Sequence, residues 1–493
     1  MLGITSNIVE ISNKKNIVIL GGGFAGLRIA YLLNKLDYHV SIIEKNNNMG
    51  GMVQTYEYEY ERERFLFDFG PHLFFEDYVK EYRDLLGNDL LSLSNRFRMY
   101  TNNAILSYPL RPLEMFTKMN PITSILYVID YLINGTKLKL SNEKNDSLKT
   151  FMTKRFGRKL YDDFYSPYIE KCTGLSSNQI SVLWGKEREN VSGRSLIENI
   201  INKINYLLSS RAREKLTRTN SPSANTITAW YPRQGAGQLC DAMTITLNPK
   251  RIYLNSNIEL INIKGQSVQD IIMNINGFKK KISGDYYVST LPLPELINLF
   301  LPNFMNKSEV YQKIKYRSVR LVNLIIYKDR VLDCLEIFSM NKQHIFKRIY
   351  EPKAMSSFMA PLGKSSLCLE VCCNKGDEIE KMSKTELVAR CIEDLISMKL
   401  LKSMDVVKDA FIVEMPNAYP IYNKGFEVER QKLLDIINGF DNLLTCGRQG
   451  LFRYHAMTNE IMEMADKVAG FLEGNRDKRS VDDNNSQWGT FFN

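Results

Sequence analysis

Short apolar runs of strand length alternate along this chain with stretches in which apolar residues return at helical spacing. Asn16 to Leu20 (NIVIL) is an unbroken apolar run, and His39 to Glu44 (HVSIIE) is a second one, rich in β-branched residues. Between them Leu27, Ala30, Tyr31 and Asn34 recur at helical spacing, so the pattern predicts strand, turn, helix, strand. Ile252 to Ile263 and Asp285 to Thr290 (DYYVST) read as further strands of the same unit. From Glu76 to about Asn225 the pattern is mainly helical, with periodic apolar positions in Ser147 to Tyr168 and Arg194 to Leu208. Val319 to Tyr327, Gln343 to Tyr350 and Ser366 to Cys372 read as strands of a separate sheet, and Asn475 to Asn493 as a polar, disordered tail.

The turn after the first strand is Gly21-Gly22-Gly23-Phe24-Ala25-Gly26, a GxGxxG pattern in the strand–turn–helix setting that gives the motif meaning. Its glycines allow a tight turn, a close approach of backbone to a pyrophosphate, and close packing of helix on strand. The helix start offers unpaired N–H groups to phosphate oxygens. Glu44 closes the second strand, where an acid accepts hydrogen bonds from ribose hydroxyls. The unit predicts a dinucleotide and leaves NAD and FAD both open.

The residues beyond the second strand separate the two cofactors. Met49-Gly50-Gly51 and Thr55 come after the acid, and Phe65 to His72 (FLFDFGPH) bends at Gly70-Pro71 to deliver His72. Tyr231-Pro232-Arg233 with Gly235 and Gly237, and Gly447-Arg448-Gln449-Gly450-Leu451-Phe452-Arg453-Tyr454 near the C-terminus, complete an ordered series. The series resembles the superfamily of amine oxidases, protoporphyrinogen oxidases, phytoene desaturases and UDP-galactopyranose mutases, and its motifs are most similar to the mutase-like flavoproteins.

The resemblance implies an α/β fold: a Rossmann-type FAD-binding domain with an inserted α+β substrate domain and a helical cap. The FAD-binding domain would comprise residues 15–75, 228–295 and 440–474, the cap 76–227, the substrate-binding sheet 296–439 and the tail 475–493. Non-covalent FAD would be held by Gly21, Gly23, Phe24, Ala25, Gly26, Glu44, Lys45, Gly51, Met52, Ile258, Gly447 and Met457. His72 and Arg448 would act at the flavin, and Tyr419, Tyr422, Arg453 and Tyr454 would hold substrate, the tyrosines resembling those by which the mutases hold a sugar-nucleotide pyrophosphate. One departure stands out: after Arg453-Tyr454 the chain reads His455-Ala456-Met457-Thr458-Asn459, where mutases carry an acid- or amide-rich cluster.

Composition narrows the chemistry. With 65 basic and 55 acidic residues the net charge is +10, spread along the chain without a run of five or more like charges, which points to an anionic small molecule rather than nucleic acid. The eight cysteines form no CxxC pair and only four histidines accompany them, so neither a metal site nor a disulfide framework is expected. The most apolar helical stretch, Ile122 to Ile133, is too short to span a bilayer and contains Asp130, and the N-terminus lacks an apolar signal core, so a cytoplasmic protein is expected. No GxSxG elbow or second dinucleotide motif is visible. Three activities remain: hydride transfer between a small-molecule substrate and flavin, a redox-neutral isomerisation of a nucleotide sugar by reduced flavin, and flavin binding without catalysis.

Cys446 ends the apolar run from Asn442, which makes it a buried, inert thiol and the flavin non-covalent. Acid precipitation of the yellow protein should therefore release flavin to the supernatant. Flavin retained on the pellet would contradict this reading.

Overall fold

Five of the apolar runs pair into one parallel sheet, in the order Leu443–Thr445, Tyr286–Ser289, Asn16–Leu20, His39–Ile43, Ile252–Tyr253. The computed structural model describes residues 15–94, 97–108, 110–140, 147–192, 228–300, 312–454 and 458–474. Parallel strands are covered on both faces, so they read as continuous apolar runs rather than alternating ones. Ile17, Ile19 and Leu20 of the central strand are accordingly fully buried. The helix Phe24–Lys35 follows this strand. Its buried Arg28 binds Glu81 of the helix Val79–Leu86 and, at 2.9 Å, Asp466 of the helix Thr458–Leu472, tying three sequence-distant helices together.

A second sheet of seven strands runs Val407–Ile421, Lys315–Ile326, Ser365–Cys373, Arg348–Tyr350, Glu336–Ser339, Phe97–Thr101, Ala104–Tyr108. Side chains alternate across each strand, and that period decides what faces the rest of the molecule. Leu367, Leu369 and Val371 pack with Leu387, Cys391 and Leu395 of the helix Lys384–Ser397 on one side. Cys368, Glu370 and Cys372 therefore turn to the other face, toward the parallel sheet.

Several expectations change. Residues 97–108, placed by their position in the mainly helical stretch, are two strands, because Phe97–Thr101 pairs in parallel with Glu336–Ser339 and is drawn into the seven-stranded sheet. Ile252 to Ile263 is not one strand: Asn255 at φ +50° breaks it, leaving Ile252–Tyr253 in the parallel sheet and Ser256–Lys264 in a separate antiparallel three-stranded sheet. Only Arg348–Tyr350 of the Gln343–Tyr350 run is strand. Pro416 to Ile421 belongs to the long strand Val407–Ile421, which bulges at the left-handed Asn417. Ser147 to Tyr168 is helical but broken at Gly157, where Leu148–Phe156 ends and a new helical segment begins. Arg194 to Leu208 and the tail lie outside the described residues. All eight cysteines are free and buried, Cys446 among them. Among the described residues no helix is long and apolar enough to cross a membrane, and no group of side chains is arranged to hold a metal ion.

Asp68 joins the two halves. Its buried carboxylate accepts from Thr55 Oγ1 and Tyr231 Oη, each at 2.5 Å, and from the Ala236 N–H at 3.1 Å. Its carbonyl accepts from Tyr350 Oη of the large sheet at 2.9 Å. Burial pushes this carboxyl up to about 6, against the pull of the three donors. Asp68→Ala would strand three buried donors, each costing roughly 1–3 kcal/mol when left unpaired. The variant should melt several degrees below the parent chain in a thermal unfolding assay, and an unchanged melting curve would remove Asp68 from this role.

Candidate active site

The carboxyl ends of the parallel strands open into a cavity of about 1050 Å³ that continues to the inner face of the seven-stranded sheet. Ligands of open α/β sheets bind at this edge. Gly21, Glu44 and Thr290, each directly following a strand, line its first end.

The helix Phe24–Lys35 starts at Gly23 with no side chain capping its N–H groups and no acid in its first turn. Its orphan donors are thus left for an anion. The Gly50 N–H donates to Gly22 O at 2.8 Å, which draws the second glycine pair against the first. A Cβ on Gly51 would stand 2.9 Å from Gly23 Cα, and Gly51 itself sits at φ +60°. Glu44 is aimed by two backbone donors, Gly22 N–H to Oε2 at 2.7 Å and Asn46 N–H to Oε1 at 2.9 Å. Lys45, Ile258 and Gly447 line the same end or its continuation, with Phe24, Ala25, Gly51 and Met52. These residues fit a dinucleotide: uncapped N–H groups for pyrophosphate, an oriented carboxylate for ribose, and side-chain-free backbone where the cofactor passes. Gly26 lies behind the lining, where any Cβ would run into Gly21 O, so its part is to let the helix sit on the strand.

Farther in, His72 and Arg448 both line the cavity. His72 Nδ1 lies 2.8 Å from Gly70 O, so Nδ1 carries the proton and donates to the carbonyl, leaving Nε2 as an acceptor. Burial, then the Arg448 and Arg348 charges, lower its pKa to about 4.

Sequence reasoning missed the group beyond. Arg348 Nη1 binds Glu336 at 3.1 Å, Arg348 Nη2 also binds Glu370, and Lys347 Nζ binds Glu370 Oε2 at 2.8 Å. All four line the cavity. Burial would raise the Glu370 carboxyl, but Arg348 and Lys347 overcome it and hold it near 2. Burial pushes Glu336 up to about 7 against the attraction of Arg348. The signal was present as charges inside otherwise apolar strand runs, which a buried strand does not carry without partners. Tyr419 stacks on Tyr454 at 5.3 Å between ring centroids, with Lys347 Nζ 4.0 Å and the Arg448 guanidinium 5.4 Å from its own centroid. Phe97, Tyr108, Tyr168 and Phe338 finish the wall.

Two expected substrate residues are elsewhere. Tyr422 is fully buried behind the cavity: its hydroxyl meets Glu187 at 2.9 Å and receives the Tyr454 N–H at 2.8 Å, so it props Tyr454 instead of touching a ligand. Arg453 does not line the cavity, because Phe452 at φ +50° turns the chain just before it. Met457 lies outside the described residues.

A Rossmann-type cradle joined through one cavity to a large mixed sheet is the arrangement of a dinucleotide-binding protein. The family model for flavin-containing amine oxidoreductases matches residues 24–414, and the chain belongs to that family. Its cofactor is FAD, bound without a covalent link. The chain is 28% identical over 171 residues to an L-amino-acid oxidase of Crotalus adamanteus, 31% of each chain. It is 27% identical over 187 residues to a Klebsiella pneumoniae protein carried under the name "Probable UDP-galactopyranose mutase", 34% of this chain and 43% of the relative. These matches span between 31% and 43% of the length of the curated relatives. A solved structure of reduced UDP-galactopyranose mutase superimposes with a TM-score of 0.79 at 19% identity, covering 97% of both chains.

His72 should stay neutral to about pH 4. A histidine lowered from its ordinary 6.5 adds stability that is complete above pH 6.5 and is lost as pH falls toward 4, while the unfolded chain takes up the proton first. With four histidines in the chain, a ¹³C-imidazole titration resolves them. A His72 midpoint near 6.5 would show that the ring is not shielded in this way, and His72→Gln should flatten the stability loss between pH 6.5 and 4.

Proposed function

We propose that this protein is an FAD-dependent oxidoreductase whose substrate is an anionic, phosphate-bearing small molecule of the nucleotide-sugar type. The observation that carries the reading is the set of three cations, Lys347, Arg348 and Arg448, on the cavity wall beside His72. Two carboxylates, Glu336 and Glu370, pair with Lys347 and Arg348 there, and Glu336, pushed up to about 7, is readily neutralised. An arginine offers a planar fork to phosphate oxygens, and Arg348 Nε is buried without a hydrogen-bond partner. An apolar substrate would offer no acceptor to the buried Arg348 Nε.

Bound FAD supplies the two-electron chemistry. The chain's own residues orient and shield. Tyr419 and Tyr454 offer phenolic hydrogen bonds, Phe97, Tyr108 and Phe338 exclude water, and neutral His72 presents an acceptor to a substrate hydroxyl while its other nitrogen stays locked on Gly70 O.

A second reading, redox-neutral isomerisation of a nucleotide sugar, is favoured by the full-length overlap with the mutase structure. It shares the pocket and differs in needing reduced flavin without net electron transfer.

Titration of the FAD-loaded protein with UDP or a UDP-sugar, followed by flavin absorbance, tests the class. Binding is expected to weaken at least tenfold in Arg448→Ala and in Arg348→Ala, and to weaken with added salt as ionic recognition does. No response to any nucleotide sugar beside tight binding of an apolar compound would overturn the proposal. Turnover of a bound nucleotide sugar only after flavin reduction would select the second reading.

A further inference from the structure

The helix Pro121–Leu140 is turned inside out. Ser124 is buried and donates to Met115 O at 2.8 Å, and Tyr127 donates to Asp163 at 2.8 Å. Asp130, the one charged residue between Pro121 and Ile133, accepts the Lys159 N–H at 2.8 Å. Its polar residues thus hold it to the protein, and its aliphatic ones face out. Ile122 is 69% exposed, Ile125 49%, Leu126 46%, Ile129 45%, Leu132 52% and Ile133 49%. Phe116, on the helix Pro112–Lys118 just before it, adds another exposed ring.

This is an ordered stripe. Ile122, Ile125, Ile129 and Leu132 stand at the three- and four-residue steps of a coiled-coil seam, with β-branched Ile at three of the four positions. A chain folded in water does not keep such a face exposed without a use for it. Two properties choose the occupant. A helix lying on an anionic membrane carries Lys and Arg along its polar face, whereas the polar residues here, Ser124, Tyr127 and Asp130, include no base and are held against the protein, with Lys118, Lys137 and Lys139 beyond the ends of the stripe in sequence. The stripe is also complementary to itself, because aliphatic knobs at heptad spacing fit the holes of an identical helix. Its exposed side chains amount to on the order of 600 Å² per protomer, and about 1,200 Å² across a two-fold axis is where specific interfaces begin.

We propose that this face is the dimer interface of the protein, the helix Pro121–Leu140 pairing with its copy about a two-fold axis. The pairing is independent of the substrate read into the cavity, and fits the isologous arrangement that most homodimers adopt.

Sedimentation of the FAD-loaded full chain at micromolar concentration should give twice the chain mass of 57.0 kDa. Ile125→Glu combined with Ile129→Glu alters only outward positions, so flavin content and melting temperature should hold while the dimer dissociation constant rises at least tenfold. If that double variant fails to fold, Ile122→Lys, at the most exposed position, carries the same test. A monomeric parent at tens of micromolar, or a dimer indifferent to these substitutions, would overturn the proposal. So would binding of the parent to phosphatidylserine vesicles that the variant loses, which would give the stripe to a membrane. A monomer in which an Ile129→Cys thiol resists maleimide would give it to another segment of the same chain.

Discussion

Backbone meeting backbone at the end of the parallel sheet is the contact on which the rest of this molecule is arranged. Gly50 N–H donates to Gly22 O, and the Thr290 N–H donates to Leu20 O at 2.8 Å, while a Cβ on Gly447 would stand 2.9 Å from Ala25 Cβ. Four segments of the chain therefore converge, with the Ala25 methyl the one side chain in these three contacts. Their convergence brings the uncapped start of the helix Phe24–Lys35, the Glu44 carboxylate and the Gly447 turn to one wall of one cavity. Any side chain inserted there would separate the segments and take the anion-binding N–H groups away from the cofactor.

The opposite wall obeys a different rule. Glu336, Lys347, Arg348 and Glu370 are charges withdrawn from water, which costs several kcal/mol per ion unless each is paired. Such a network adds little to stability. On the proposed function, it would hold cations in fixed geometry, so that an entering anion meets groups already oriented. The pKa directions follow from this wall. Glu370, between two cations, stays charged, and Glu336, with less compensation, is held near neutrality. His72, facing Arg448 and Arg348, remains an uncharged ring.

The helical part links to this wall through aromatic contacts. Tyr168 packs edge-on against Phe338 at 6.1 Å, and the segments after Gly157 that carry it also anchor Tyr127 and Asp130. The outward-facing helix and the inner end of the cavity thus share one small bundle.

The nucleotide half was legible in the sequence because its determinants are local. Glycine turns, apolar strand runs and an acid closing the second strand act within about thirty residues, the span of one strand–helix–strand unit. Gly21, Gly23 and Glu44 accordingly line the cavity, and Gly51, His72 and Arg448, beyond that unit and expected from the family resemblance, line it too. The substrate half was legible only in outline, since which face of a strand is inward depends on register with a partner hundreds of residues away. Phe97–Thr101 became strand by pairing with Glu336–Ser339, and Glu370 came to face the cavity because Leu369 and Val371 were claimed by the helix Lys384–Ser397. Tyr419 and Tyr422 look equivalent in sequence, yet one lines the cavity and the other is buried behind it. The sequence by itself determined the cofactor unit, through turn and period. Tertiary pairing alone decided which charges meet, because burial and neighbouring charge are properties of the assembled sheet and not of any one strand.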